Sequence, residues 1–177
     1  MNPSTATPLP YLEGYSPAVQ ARVRELLAQD QLGSYLASRY GEAHEARNDK
    51  ALFQAAVALK DRFMRNTAPL NKVMYDPRLQ LLSHALGTLT SVSRVQGSRL
   101  KASREIRVAS MFRDAPASFL KMILVHELAH LKEREHNKAF YQLCTHMAPD
   151  YFQLEFDLRL YLTHREASAV EGTLRER

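Results

Sequence analysis

Cysteine is nearly absent from this 177-residue chain, where Cys144 stands alone. That excludes an intramolecular disulfide framework and suits a reducing compartment. Long apolar runs are missing too. Nothing approaches the about 20 residues that span a bilayer, so neither a transmembrane helix nor a membrane partner is expected. The opening stretch MNPSTATPLPYLEGYSP lacks the cationic and apolar regions of a secretory signal, and a cytoplasmic location is the expectation. No run of five or more Lys and Arg residues occurs, which removes the kind of basic arm that wraps nucleic acid. A nucleic-acid partner stays possible but is not indicated. Internal repeats and low-complexity segments are absent as well, and nothing specifies an oligomeric state.

What is present describes a folded chain. Hydrophobic residues make up 45% and charged residues 24%, which sets disorder aside for the body of the sequence. The formal net charge of +5 favours anionic partners, or simply keeps the surface soluble. The length fits one compact domain with a real core. Residues 1–10, with Pro3, Pro8 and Pro10, read as a flexible tail and residues 165–177 as a polar one. Between them a single domain is expected over 11–164, made of a helical portion (11–66) and a sheet with further helices (67–164). Ser16-Pro17 predicts the start of a helix over 17–30. Leu32, Leu36 and Tyr40 suggest a short second helix, and Asp49 is expected to cap a third carrying Leu52, Ala56, Leu59 and Phe63 on one face.

After Pro69 the period changes from helix to strand. KVMYD at 72–76 predicts a short strand, and 88–95 and 100–110 are β-like runs around the turn signal Gln96-Gly97-Ser98. Ile106 and Val108 share one face of the second run, Glu105 and Arg107 the other. A small antiparallel sheet is therefore expected. Asp114-Ala115-Pro116 opens a helix containing FLKMILVHELAHL, which is apolar nearly all round and should be buried against that sheet. A further helix begins near Asn137 and is broken by Pro149-Asp150. Residues 151–164 fit both a strand and a helical period, and Asp150 as a cap favours helix.

The chemistry concentrates in HELAHLKEREH at 126–136. Positions i and i+4 of a helix lie one turn apart on one side, with Cβ atoms roughly 5–6 Å apart. His126 and His130 can thus aim two imidazole nitrogens at one zinc ion, at about 2.0–2.1 Å each. Glu127, beside His126, is placed to take a proton from a water whose pKa the metal has lowered towards about 7. This is the HExxH pattern with its mechanism. Two histidines on a helix are commonly surface residues, but here they share an apolar helix, where unpaired Glu and His would each cost roughly 1–3 kcal/mol.

A third ligand must come from elsewhere. His136 is six residues past His130 and on an unbroken helix would point about 240° away. Lys132-Glu133-Arg134-Glu135 therefore has to turn the chain if His136 is to complete the set. The spacing equals that of metzincins, yet the glycine they use in that turn is Glu133 here. Met147 is better read as core than as a Met-turn. Glu155, on a downstream segment, is the rival ligand, and His136 is favoured. Cys144 and His146 would lie about 12–15 Å along the next helix, too far to join. Three ligands leave one position open, as in a catalytic zinc site with one zinc per chain.

KVMYD (72–76), ALG (85–87), SRVQG (93–97), EIRVA (105–109), HELAHLKEREHNKAFYQLC (126–144) and LEFDLRLYL (154–162) together resemble the YgjP-like metallopeptidase family, related to the WLM and SprT-like zincins. The resemblance spans roughly residues 11–162. It implies an α+β, minimal zincin fold: a small sheet packed on the HExxH helix, with helices before and after it, including one over 151–164. It also implies that His126, His130 and His136 bind zinc and that Glu127 is catalytic. Three functions compete. A zinc metallopeptidase taking extended peptide along a strand edge stands first. Close behind is a metal-dependent phosphohydrolase, a pyrophosphatase of nucleoside triphosphates. Arg94 and Arg107, with Lys101 and Arg104, would serve it as phosphate-binding residues, although they equally suit the solvent face of a half-buried sheet. The third, a non-enzymatic zinc module binding nucleic acid, is opposed by the intact Glu127 and the open position.

Overall fold

The structure is a computed structural model that describes residues 8–79 and 104–175, with side chains to residue 170. Its elements are α1 (Pro17–Ala28), α2 (Leu32–Arg39), α3 (Asp49–Phe63), β1 (Lys72–Asp76), β2 (Glu105–Ala109), α4 (Ala117–His130), α5 (Lys138–Met147) and α6 (Tyr151–Arg175). The fold is α+β. No helix among the described residues is long and apolar enough to cross a membrane. The described residues group into two compact units, Met1–Gly41 with Glu155–Arg177, and Glu42–Leu154.

In the first unit, Ser16 caps α1 through its Oγ, which accepts from the Val19 amide, and Pro17 takes the first helical position as expected. Asp30 bends the chain into α2 with a φ of 54°, a left-handed conformation that a short polar side chain tolerates. Gly33 is required by close approach, because a Cβ there would stand 2.7 Å from Nε2 of His164. Asp157, fully buried on α6, accepts the Tyr40 hydroxyl and faces Arg39 at 3.8 Å. Residues 165–175, expected to be a loose polar tail, continue α6 as helix.

The second unit begins with α3, whose cap is Asn48 rather than Asp49: Asn48 Oδ1 accepts from the Ala51 amide at 2.9 Å. The Asp49 carboxylate is used elsewhere, accepting from the Tyr75 amide of β1 at 2.9 Å. Tyr75 in turn donates its hydroxyl to the Ala46 carbonyl at 2.6 Å. These bonds fasten α3 to β1 on the buried side of the sheet.

The sheet is parallel, not antiparallel. β1 pairs with β2 in the register Lys72↔Glu105 through Asp76↔Ala109. The antiparallel expectation came from reading 88–95 and 100–110 as a hairpin about residues 96–98. Most of that stretch lies outside the described residues, while the partner that β2 takes is β1. The intervening residues 77–104 exceed the dozen or so that a parallel crossover needs. The alternation itself holds: Val73, Tyr75, Ile106 and Val108 are buried, whereas Met74, Glu105 and Arg107 are partly exposed on the opposite face.

Helix α4 is buried on every side over its second half, from Met122 to Ala129. Its mean composition is apolar enough for this, and each fully buried Leu, Ile or Phe contributes about 1.5–3 kcal/mol. Its start is held by the Ala117 amide donating to the Glu42 carbonyl at 2.8 Å. Helix α5 is one-sided instead, burying Phe140, Cys144 and Met147.

Candidate metal centre

Three of the described side chains converge on one point at the C-terminal end of α4. His126 and His130 occupy its last turn, and their Nε2 atoms are 3.2 Å apart. The helix then stops. The amides of Lys132 and Glu133 both donate to the Ala129 carbonyl, at 3.1 and 3.0 Å, and the chain leaves the helical path. His136 comes back so that its Nε2 lies 3.3 Å from that of His126 and 3.1 Å from that of His130. The polar run 132–135 therefore turns the chain as the sequence requires. It does so without a glycine, because Asp30 is the sole described non-glycine residue with positive φ and Glu133 keeps an ordinary backbone.

The donor set fits a metal ion. Ligands at about 2.0–2.1 Å from a tetrahedral ion are about 3.3–3.4 Å from one another, close to the spacing of the three nitrogens. Metal-free, three lone-pair nitrogens this close would repel or have to share protons. Neutral imidazole is the ligating form, and His126, 3% exposed, is held there. Burial, with smaller contributions from His130 and His136, pushes its pKa down to about 3.

The outer nitrogens of His126 and His130 are both engaged. His130 Nδ1 lies 2.9 Å from the Glu133 carbonyl, so that nitrogen carries the hydrogen and Nε2 the lone pair. His126 Nδ1 lies 2.7 Å from the hydroxyl of Tyr151, in the first turn of α6. Phe140 backs the cluster. Its ring centroid is 4.6–4.9 Å from each imidazole, while the imidazoles are 4.8–5.0 Å from one another. The phenyl ring thus packs against all three imidazoles. Its place is set by Asn137, whose Oδ1 accepts from the Phe140 amide at 2.9 Å and caps α5 one residue after His136.

Glu127 follows His126 on α4 and is 2% exposed. Glu155, the rival ligand, belongs to the other unit and has its carboxylate 3.3 Å from Arg159. Among the described residues, the group able to hold a metal ion is His126, His130 and His136. Cys144 is a buried thiol and His146 packs edge-on to Phe63 at 5.4 Å, outside that group. Arg107 is ion-paired on both sides, to Asp76 and Glu105 at 3.0 Å each. The Arg78 amide and Arg107 together hold the Asp76 carboxyl below its usual range. Arg94 and Lys101 lie outside the described residues, and the Arg104 amide donates to Asn71.

Phe140 and Tyr151 are the site residues that sequence reasoning missed. Phe140 carried one available signal: it is i+4 from His136, but an aromatic at that spacing ordinarily means core. Tyr151 is 25 positions from His126, and no local pattern connects them.

Residues 73–161 match the YgjP-like family, described as a metallopeptidase domain, and the match encloses the whole triad. A UTP pyrophosphatase of Escherichia coli (strain K12) is 59% identical over 155 residues, covering 88% of this chain and 93% of that relative. No solved structure matches.

Proposed function

Because the chain belongs to the YgjP-like family, and so is a metal-dependent hydrolase, we propose that it hydrolyses nucleoside triphosphates at a zinc site formed by His126, His130 and His136. The observation that carries the site is the mutual approach of three Nε2 atoms to 3.1–3.3 Å. The choice of substrate is supported by the 59% identity to a UTP pyrophosphatase across nearly all of that protein. In this reading one zinc per chain is bound, water attacks the linkage between the α- and β-phosphoryl groups, and the products are nucleoside monophosphate and pyrophosphate. Zinc held by His126, His130 and His136 would supply Lewis acidity to the reaction. Glu127 accepts the proton of the attacking water, and its burial keeps that carboxylate out of bulk solvent. Arg107, which engages its carboxylate neighbours through Nε and Nη1, is one proposed phosphate contact. Arg94 is the second proposed phosphate contact. The single buried thiol suits a cytoplasmic enzyme.

A second reading, peptide hydrolysis, is favoured by the description of the matched family as a metallopeptidase domain. One experiment separates them. Zinc-loaded protein is assayed for pyrophosphate release from UTP and for cleavage of an unstructured peptide panel, beside Glu127→Gln. The glutamine keeps the size and most of the hydrogen bonding of the native side chain but cannot act as the base. UTP turnover should fall roughly 100-fold or more in that variant, with one zinc per chain still present by metal analysis. Peptide cleavage with UTP untouched would overturn the nucleotide reading, and wild-type turnover by Glu127→Gln would remove Glu127 from the mechanism.

A further inference from the structure

We propose that Tyr151 is a positioning residue of the metal centre, which keeps His126 in the tautomer that presents a lone pair to the ion. This inference rests on the reading of the triad as a zinc site. The phenol and Nδ1 of His126 are 2.7 Å apart, with both side chains at least 97% buried. Their rings lie nearly parallel, at 18°. The contact is therefore shielded from bulk water.

The three ligands do not depend on such a contact equally. His130 has its Nδ1 hydrogen bonded to a backbone carbonyl three residues on, so its tautomer is written into the turn itself. The tautomer of His126 depends on a side chain 25 positions away, on another helix. Tyr151 is placed there by the start of α6, where its amide donates to the Ala148 carbonyl at 2.9 Å. A phenol can donate or accept. When His126 binds an ion through Nε2, its hydrogen must sit on Nδ1, and the Tyr151 oxygen accepts it.

The consequence is confined to the loaded state. Without metal, a His126 lacking its phenol partner can move its hydrogen to Nε2, where the Nε2 atoms of His130 and His136 lie 3.2 and 3.3 Å away as acceptors. With metal that escape is blocked, because Nε2 is taken and the Nδ1 hydrogen is left buried without an acceptor. Removing the hydroxyl should therefore weaken zinc without a matching loss of metal-free stability. Loss of an outer hydrogen-bond partner of this kind costs about 10–100-fold in metal affinity.

The test is Tyr151→Phe, with zinc affinity measured by chelator competition and metal-free stability by urea unfolding. Tyr75→Phe is the control, since it removes another buried phenol, bonded to the Ala46 carbonyl. Tyr151→Phe should bind zinc about 10–100-fold more weakly, while Tyr75→Phe stays within about twofold of wild type. Wild-type affinity in Tyr151→Phe overturns the inference, as does an equal loss in both variants. Long-range nitrogen–proton NMR of the zinc-loaded wild type reads the same point without any substitution. His126 should coordinate through Nε2 and carry its hydrogen on Nδ1; coordination through Nδ1 overturns the proposal even if the variant fails to fold. A wild-type chain that binds no zinc would instead sink the metal site as a whole.

Discussion

Removing the His136 imidazole discriminates most sharply among the ways this chain can hold a metal. Zinc bound by a four-ligand structural site contributes about 10–16 kcal/mol near neutral pH, or about 2.5–4 kcal/mol per ligand. The three Nε2 atoms are already spaced within a few tenths of an ångström of a tetrahedral edge, so little of each ligand's contribution is lost to rearrangement. His136→Ala should accordingly reduce zinc affinity by roughly 10²–10³-fold, using 1.4 kcal/mol per factor of ten. The residual site is the His126–His130 pair, which α4 holds in place regardless. Glu155→Ala should leave affinity within about twofold, because its carboxylate is engaged by Arg159. Competition against a fluorescent chelator at fixed pH and salt measures both. If His136→Ala binds zinc as tightly as wild type, or if Glu155→Ala loses as much, the three-imidazole assignment is wrong.

Two further outcomes follow from packing and ionisation. Phe140→Ala should lower stability by about 3–5 kcal/mol, because a fully buried ring is deleted from a site lined on one side by three imidazoles. Thermal unfolding reads this as a fall of several degrees or more, at about 2–4 °C per kcal/mol for a chain of this size, and an unchanged melting temperature would show that the ring is not a packed wall. Alkaline pH should destabilise the fold through Tyr75, whose burial pushes its phenol up to about 12 against an ordinary value of 10. The folded state prefers the neutral phenol, so stability is full below about pH 10 and is lost as pH rises towards 12, by about 1 kcal/mol at pH 11. Urea unfolding across that window checks it, and Tyr75→Phe should flatten this part of the dependence.

The elements were legible wherever one short-range signal decided them. Ser16-Pro17, the apolar run before His126 and Asn137 each named a helix start or a buried helix that the fold retains. Asp49 was misassigned by one position because Asn48 and Asp49 are both good caps. What separates them is tertiary: the Asp49 carboxylate is taken by the Tyr75 amide. Strand direction failed for a related reason. Alternation identifies the inward residues of β1 and β2, but it is identical for parallel and antiparallel pairs. Only the choice of partner distinguishes the two, and the turn signal at 96–98 drew attention to a neighbour in sequence. The extension of α6 past residue 164 was missed because a polar segment can hold a helix by continuity with an apolar one that is already packed.

The candidate metal site divides along the same line. His126 and His130 are fixed by helical period, which sequence shows directly. His136 required an inference about a turn, and the missing glycine counted against it. The structure removes that objection: the amides of Lys132 and Glu133 close on the Ala129 carbonyl with ordinary backbone angles, so a left-handed residue has no task to perform there. The ligand spacing is therefore a property of where α4 ends and not of a particular residue in the turn. What no spacing could reveal is the second layer, Phe140 behind the rings and Tyr151 on the outer nitrogen of His126, because both arrive from helices that follow the motif. Phe140 packs against all three rings and Tyr151 engages the outer nitrogen of His126, and neither contact can be read from the spacing of the histidines, which fixes only the donors that face one another.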